Sequence, residues 1–207
     1  MLCLTRPTPA GWVELALANL DAVLVDHAHC EMKAASNALS LAVRASETPG
    51  LVEELVALAE EELTHFRRVF GELASRGVPL GPPPPDNYAA ELRKTVRAQR
   101  DASRRGPAEH PTEALVDRLL VAALIEARSC ERFRLLVDGL RERGFSDLAP
   151  LYEELFAAEA RHFRTFVELA RRVAHPDDGW VDVRLREVAR LEGELASRQG
   201  AAPAIHG

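Results

Sequence analysis

Long apolar runs are missing from this chain of 207 residues. No stretch approaches eighteen uninterrupted apolar residues, which excludes a membrane-spanning helix. Cysteine is scarce: Cys3, Cys30 and Cys130 are odd in number and form no CxxC pair. A disulfide framework is therefore excluded, and a reducing, cytoplasmic location is expected. The opening MLCLTRPTPAGW has no basic region followed by an apolar run, so no signal peptide is expected. Isoleucine occurs only at Ile125 and Ile205, and no long alternation of apolar and polar residues stands out. A β-rich fold is excluded on that pattern. Basic charge is also in deficit. A formal net charge of −6 and a pI near 5.7 argue, taken alone, against a generic nucleic-acid binder.

What the chain does hold is Ala, Leu, Glu and Arg, all strong helix formers. An all-α fold follows. Start and stop signals predict core helices at about 9–45, 49–76, 112–143 and 146–174, with Thr48, Thr112 and Ser146 as N-caps and Pro49 opening the second. Gly77 and Gly144 mark helix ends. Residues 78–111 form a crossover that contains Pro82 to Pro85, an extended spacer, and a cation-rich helical piece from about Tyr88 to Arg104. A last helix is expected over 181–197, and 200–207 reads as frayed. Helices of roughly 27 to 37 residues would be about 40–55 Å long. Two helical hairpins joined by a long connection make a four-helix bundle with one crossover. A weak internal repeat agrees with this: in each hairpin the first helix carries an acid and the second carries Glu-x-x-His.

The two Glu-x-x-His elements are Glu62-Leu63-Thr64-His65 and Glu159-Ala160-Arg161-His162. Three residues of separation put Glu and His on one face, a turn apart. At about 100° per residue, Glu62 falls in line with Leu51, Leu55, Leu58, Phe66, Val69 and Leu73. Glu159 falls in line with Leu148, Tyr152, Leu155, Phe163, Phe166 and Val173. Glu31 falls in line with Leu17, Leu20, Leu24, Ala28, Ala35 and Ala38. In the third long helix Glu126 shares its face with Leu119, Ala122, Cys130, Phe133 and Val137. Glu131 instead lines up with Asp138 and Glu142 and is expected to point outward. Four carboxylates and two imidazoles thus converge inside an apolar bundle. Burying unpaired carboxylates costs many kcal/mol unless they are protonated or compensated. Two divalent cations would compensate all four, and the donor set is that of dimetal carboxylate bundles. Imidazole and carboxylate together suit iron more than zinc, with manganese possible.

The blocks His29-Cys30-Glu31-Met32-Lys33-Ala34-Ala35-Ser36, Glu61-Glu62-Leu63-Thr64-His65-Phe66, Ile125 to Phe133 (IEARSCERF) and Glu159-Ala160-Arg161-His162-Phe163 resemble the MiaE family of tRNA hydroxylases, members of the ferritin-like superfamily. The resemblance covers roughly residues 8–175. It implies a single ferritin-like domain and a non-haem di-iron monooxygenase. Such an enzyme uses O2 and an external electron donor, a reductase or a ferredoxin-like protein, to hydroxylate the isopentenyl group of 2-methylthio-isopentenyladenosine in tRNA. Carried over by motif, Glu31, Glu62, His65, Glu126, Glu159 and His162 would hold two Fe ions.

For contact with RNA, the crossover offers Arg93, Lys94, Arg97, Arg100, Arg104 and Arg105, and Arg67, Arg68, Arg161, Arg164, Arg171 and Arg172 add cations elsewhere. A locally basic face can contact phosphates on an acidic chain. Trp12, Tyr88 and Trp180 are the candidate stacking aromatics. Two other readings compete: a dimetal peroxidase, manganese catalase or iron store on the same fold, and a metal-free helical interaction protein.

Overall fold

The computed structural model describes residues 2–48, 50–84, 87–103, 111–145, 147–174, 176, 179–198 and 202–206. Among these there are helices and no strand: α1 (Trp12–Ala18), α2 (Leu20–Arg44), α3 (Leu51–Ser75), α4 (Asn87–Ser103), α5 (Pro111–Glu142), α6 (Leu148–Val173) and α7 (Trp180–Arg198). α2 packs along α3 and α5 along α6, and the two hairpins face each other. This is the expected bundle with one crossover. α4, within the crossover, packs on α5 and α7.

The first predicted helix is two helices. Residues 2–11 are not helical, and the helix breaks at Asn19, whose φ of −128° and ψ of 41° leave the helical region. The Asn19 side chain donates to the Leu15 carbonyl at 2.9 Å, a local bond that competes with helix continuation. The break lets α1 lie against α5. Gly139 makes room there, since a Cβ in its place would sit 2.6 Å from Leu17 Cδ1.

Two helix stops form as the sequence predicts. Gly77 and Gly144 take φ of 68° and 78°. Val78 donates to the Leu73 carbonyl at 2.9 Å and Phe145 to the Leu140 carbonyl at 3.0 Å, closing Schellman motifs. Two predicted starts differ. α3 begins after Gly50 with no side-chain cap, rather than at Thr48, and α5 begins at Pro111, one residue before Thr112. Pro49 and Ser146 lie outside the described residues.

The crossover and the last helix are keyed to the bundle by buried charge. Arg128 of α5 donates to Glu192 of α7 at 2.9 and 3.0 Å, and Tyr88 of α4 donates to the same carboxylate at 2.7 Å. Arg184 of α7 grips Asp117 of α5 at 2.7 and 3.0 Å. Glu131 lies off the Glu126 face, but it does not point outward as the pattern suggests: it is largely covered, pairs with Arg128 and accepts from Thr8 through N at 3.1 Å and Oγ1 at 2.7 Å. That bond ties down the N-terminal strap. Of the segment 200–207, residues 200, 201 and 207 lie outside the described residues, and 202–206 are not frayed. Ile205 is fully buried, its amide donates to Asp26 at 2.6 Å, and Arg132 donates to its carbonyl at 2.6 Å.

Breaking a buried ion pair leaves an uncompensated charge, so Arg128→Ala should cost about 3–5 kcal/mol by urea unfolding. A loss below about 1 kcal/mol would show that Glu192 finds another partner or loses its charge.

Candidate metal centre

Each predicted donor comes from a core helix: Glu31 from α2, Glu62 and His65 from α3, Glu126 from α5, Glu159 and His162 from α6. None is more than 5% exposed. They form two overlapping groups, Glu31 with Glu62, His65 and Glu159, and Glu62 with Glu126, Glu159 and His162. Within each group one donor atom per residue lies within 4.8 Å of the others. Glu62 and Glu159 belong to both. All six residues that periodicity placed on inward faces therefore meet at one level of the bundle.

Apart from His162 Nδ1 and Glu159 Oε2, hydrogen-bonded at 3.2 Å, their contacts are close but poorly directed for hydrogen bonding. His162 Nδ1 is 2.8 Å from Glu62 Oε1, and His65 Nδ1 is 3.4 Å from Glu62 Oε2 and 3.5 Å from Glu159 Oε1. Yet both Glu62 oxygens, Glu159 Oε1 and His65 Nδ1 are buried without a hydrogen-bond partner. Orphaned buried donors that converge on a common space fit a shared cation better than mutual hydrogen bonding. The electrostatics agree. Burial, with the charges of Glu159 and Glu31, pushes Glu62 up to about 8. Burial also raises Glu31 and Glu126. Burial alone would depress His65 and His162, but the surrounding carboxylates hold both up at about 12. Without metal the cluster balances its charge with protons, and cations would have to displace them.

Three neighbours orient the donors. Glu61 accepts from His162 Nε2 at 3.0 Å and from Arg161 at 2.6 Å, which leaves Nδ1 of His162 facing the cluster. On the opposite side His27 Nε2 is 2.6 Å from Glu31 Oε1, and His27 Nδ1 is 3.1 Å from the Tyr152 hydroxyl. Burial drives His27 down to about 4, so its ring is neutral. With Glu31 ionised, Nε2–H donates to it and Nδ1 accepts from Tyr152. Sequence reasoning passed over His27 and Glu61 as site residues, although His27 stands one turn before Glu31 and Glu61 adjoins the first Glu-x-x-His.

A cavity reaches the cluster from the α2–α5 side. It holds about 750 Å³ of space, its open mouth included, and touches Glu31, Glu126 and Glu159 but neither His65 nor His162. Ala34, Ala122, Ile125 and Phe133 give it apolar walls, and Lys33, Asn37, Asn87 and Arg93 stand on its polar side. Tyr88, Ile205 and His206 close another side, with His206 held by Ser129 at 2.8 Å.

A sequence model of the MiaE family, described as tRNA-(MS[2]IO[6]A)-hydroxylase, matches residues 1–207. The chain belongs to the MiaE family. It is 41% identical over 186 residues to a Pseudomonas putida protein named tRNA 2-(methylsulfanyl)-N(6)-isopentenyladenosine(37) hydroxylase, covering 90% of this chain and 83% of that one. A Salmonella typhimurium protein of the same name is 29% identical, covering 91% and 82%. The solved structure of "Protein 43 with aldehyde deformylating oxygenase activity from Synechococcus" superposes with a TM-score of 0.80 at 36% identity, covering 99% of this chain and 95% of that one.

In this MiaE-family chain the cationic candidates fare unequally. Arg93, Lys94 and Arg97 are exposed on α4. Arg100 turns inward to Asp117 at 3.3 Å, and Arg104 and Arg105 lie outside the described residues. Arg161, Arg171 and Arg172 of α6 pair with Glu61, Asp182 and Glu54, and Arg68 of α3 with Glu154. Trp12 and Tyr88 are buried, Trp12 by the apolar core and Tyr88 by its bond to Glu192, so neither offers a free face for a base. Trp180 is 37% exposed.

The raised pKa of Glu62 has a consequence for metal-free protein. Its stabilising contribution is full below about 4.5 and fades as pH rises to about 8. That of His65 and His162 is full below 6.5 and fades toward about 12. The melting temperature of metal-free protein should therefore fall from pH 5 to 8.5. Metal-loaded protein should hold level, so the gap between the two widens. Glu62→Gln should raise the metal-free melting temperature at pH 8 and lower the bound metal. A gap that narrows with pH would contradict this charge balance.

Proposed function

We propose that this chain hydroxylates the isopentenyl group of 2-methylthio-isopentenyladenosine in tRNA, in the cytoplasm. Glu31, Glu62, His65, Glu126, Glu159 and His162 would hold two Fe ions. The observation that carries the reading is an apolar-walled cavity ending on Glu31, Glu126 and Glu159, in a chain that matches the family from end to end. One oxygen atom of O2 enters the C–H bond and the other leaves as water. Two electrons come from an external donor, a reductase or ferredoxin-like protein, together with two protons. The irons when bound supply the redox chemistry that no side chain provides.

The protein supplies the rest. Glu61 directs His162, and the His27–Tyr152 pair fixes Glu31, so these donors would be held in place for the ions. Ala34, Ala122, Ile125 and Phe133 accept a branched hydrocarbon and exclude water. The mouth beside Lys33, Asn37, Asn87 and Arg93 suits the polar base and ribose that must stay outside.

Protein purified without added metal should contain two irons per chain. With O2 and a reductant it should convert the prenylated nucleoside in tRNA from a strain lacking the gene, read by nucleoside mass spectrometry. Glu126→Ala should lose iron and this activity. Glu61→Ala, which removes only an orienting partner, should cost about 10–100-fold in metal affinity or activity. A second reading follows from the 36% identity to the Synechococcus protein with aldehyde deformylating oxygenase activity. Turnover of an aldehyde, with tRNA left unmodified, would favour it.

A further inference from the structure

Beside the cavity runs a second groove, of about 840 Å³ with the open solvent over it included, between the end of α2, the exposed side of α4 and the first turns of α5. Its walls are guanidinium-rich: Arg44, Arg93, Arg97, Arg100 and Arg118, against a single carboxylate, Asp117. That carboxylate is already committed, to Arg184 at 2.7 and 3.0 Å and to Arg100 at 3.3 Å. Arg97 stands 3.7 Å from Asp101. For Arg44, Arg93 and Arg118 no carboxylate lies at ion-pair distance among the described residues. Arg118 also has a buried Nε without a partner, and its one hydrogen bond among the described residues is a long one, 3.4 Å to Ser40 Oγ. Burial and the charges of Arg44 and Arg93 lower the affinity of Arg118 for its proton.

This arrangement is unusual for the molecule. Many surface arginines elsewhere are matched, as Arg76 with Asp21, Arg141 with Glu153, Arg161 with Glu61 and Arg190 with Glu194; others, such as Arg67, Arg134 and Arg143, have no ion pair among the described residues, and what sets the groove apart is that three unmatched guanidiniums line it together. On a chain of net charge −6, three guanidiniums gathered without a counter-charge repel one another. A bound anion relieves that repulsion. A guanidinium fork matches two oxygens of one phosphate, and Arg118, partly sunk in the wall, is less screened than a free surface charge. The groove's place supplies the identity of the anion. Arg93 lines both this groove and the cavity that ends on Glu31, Glu126 and Glu159. A molecule whose side chain enters the cavity would carry its neighbouring phosphates across Arg93 into the groove.

We propose that Arg44, Arg93 and Arg118 form a seat for a backbone phosphodiester of the substrate tRNA, adjoining the nucleotide whose prenyl group enters the cavity. This rests on the tRNA reading above and adds two residues, Arg44 and Arg118, from outside the crossover. Phosphate contacts of this kind position the RNA and carry no sequence preference. Each should also make binding more sensitive to salt.

The test is binding of tRNA bearing the prenylated nucleoside at a series of KCl concentrations, with catalysis followed in parallel. Arg44→Gln and Arg118→Gln should each weaken binding about 3- to 10-fold and reduce the salt slope by about 1, and the double variant by about 2. Arg44→Lys with Arg118→Lys should restore the slope. Lysine variants as weak as the glutamine ones would mark lost packing instead and overturn the seat. Arg134→Gln, an exposed change elsewhere on α5, should have no such effect, and an equal loss there would overturn it as a general charge effect. If wild type hydroxylates tRNA and the double glutamine variant binds with unchanged affinity and slope, the proposal is wrong while the function stands. The same holds if the double variant alters only inhibition by inorganic phosphate. Wild type that leaves tRNA unmodified would instead remove the reading on which the seat rests.

Discussion

Four carboxylates and two imidazoles buried at one level of a helical bundle set the terms for everything around them. Without a cation, the only way to hold Glu31, Glu62, Glu126 and Glu159 together is to share protons with His65 and His162. Such a cluster stores repulsion that the apolar layers above and below must outweigh. Those layers are continuous: Leu51, Leu55 and Leu58 on one side along α3, Val69 and Leu73 on the other, all buried. The α2–α3 and α5–α6 hairpins are therefore best understood as two clamps, each bringing an acid and a Glu-x-x-His pair to a common height. The site is local in space but depends on register over the whole length of four helices.

The elements outside the bundle answer a different need. α4 and α7 bury apolar residues, Leu92 and Val96 on one and Val181, Leu185, Val188 and Leu195 on the other, and they are also fastened through paired charges: Arg128 with Glu192 and Arg184 with Asp117. Such pairs contribute little net stability compared with an apolar contact, but breaking one is costly, so they favour one docking arrangement over others. Here that arrangement brings Tyr88 of α4 and the C-terminal Ile205 and His206 to the cavity wall. The crossover thus does more than join two hairpins, because it completes one side of the space above Glu31 and Glu126.

How far this was legible beforehand depends on the range of the interaction. The bundle, the Schellman ends at Gly77 and Gly144 and the inward faces of all six donors follow from periods of three and four residues. Glu126 could be separated from Glu131 on the same ground, since only the former shares a face with Leu119 and Phe133. The break at Asn19 was not legible. Its cause is a single side-chain bond to Leu15 and the chance to pack α1 on α5 across Gly139, a tertiary effect. The C-terminal segment was misjudged because Ile205 and His206 are too few to show a period; their partners, Asp26, Ser129 and Arg132, lie far away in the chain. The arginine groove was half visible. Arg93 and Arg97 stand in an obvious cationic run, whereas Arg44 and Arg118 are lone residues that only the packing of α2, α4 and α5 assembles.

The formal charge of −6 conceals two opposite interiors. Four negative charges lie inside the bundle, where two divalent ions would bring the sum to −2. Near them the chain gathers guanidiniums that it leaves without acids, although it pairs most of its other arginines. A protein selected only for solubility has no reason to do either, since both raise the energy of the empty fold. Each is relieved by something brought from outside: cations at the Glu and His cluster, a polyanion at the groove. Because Arg93 borders both spaces, the two demands meet within one contiguous surface. An acidic chain that acts on RNA needs no overall basic charge if its acids are enclosed and neutralised while its unpaired cations stand at the entrance to the site.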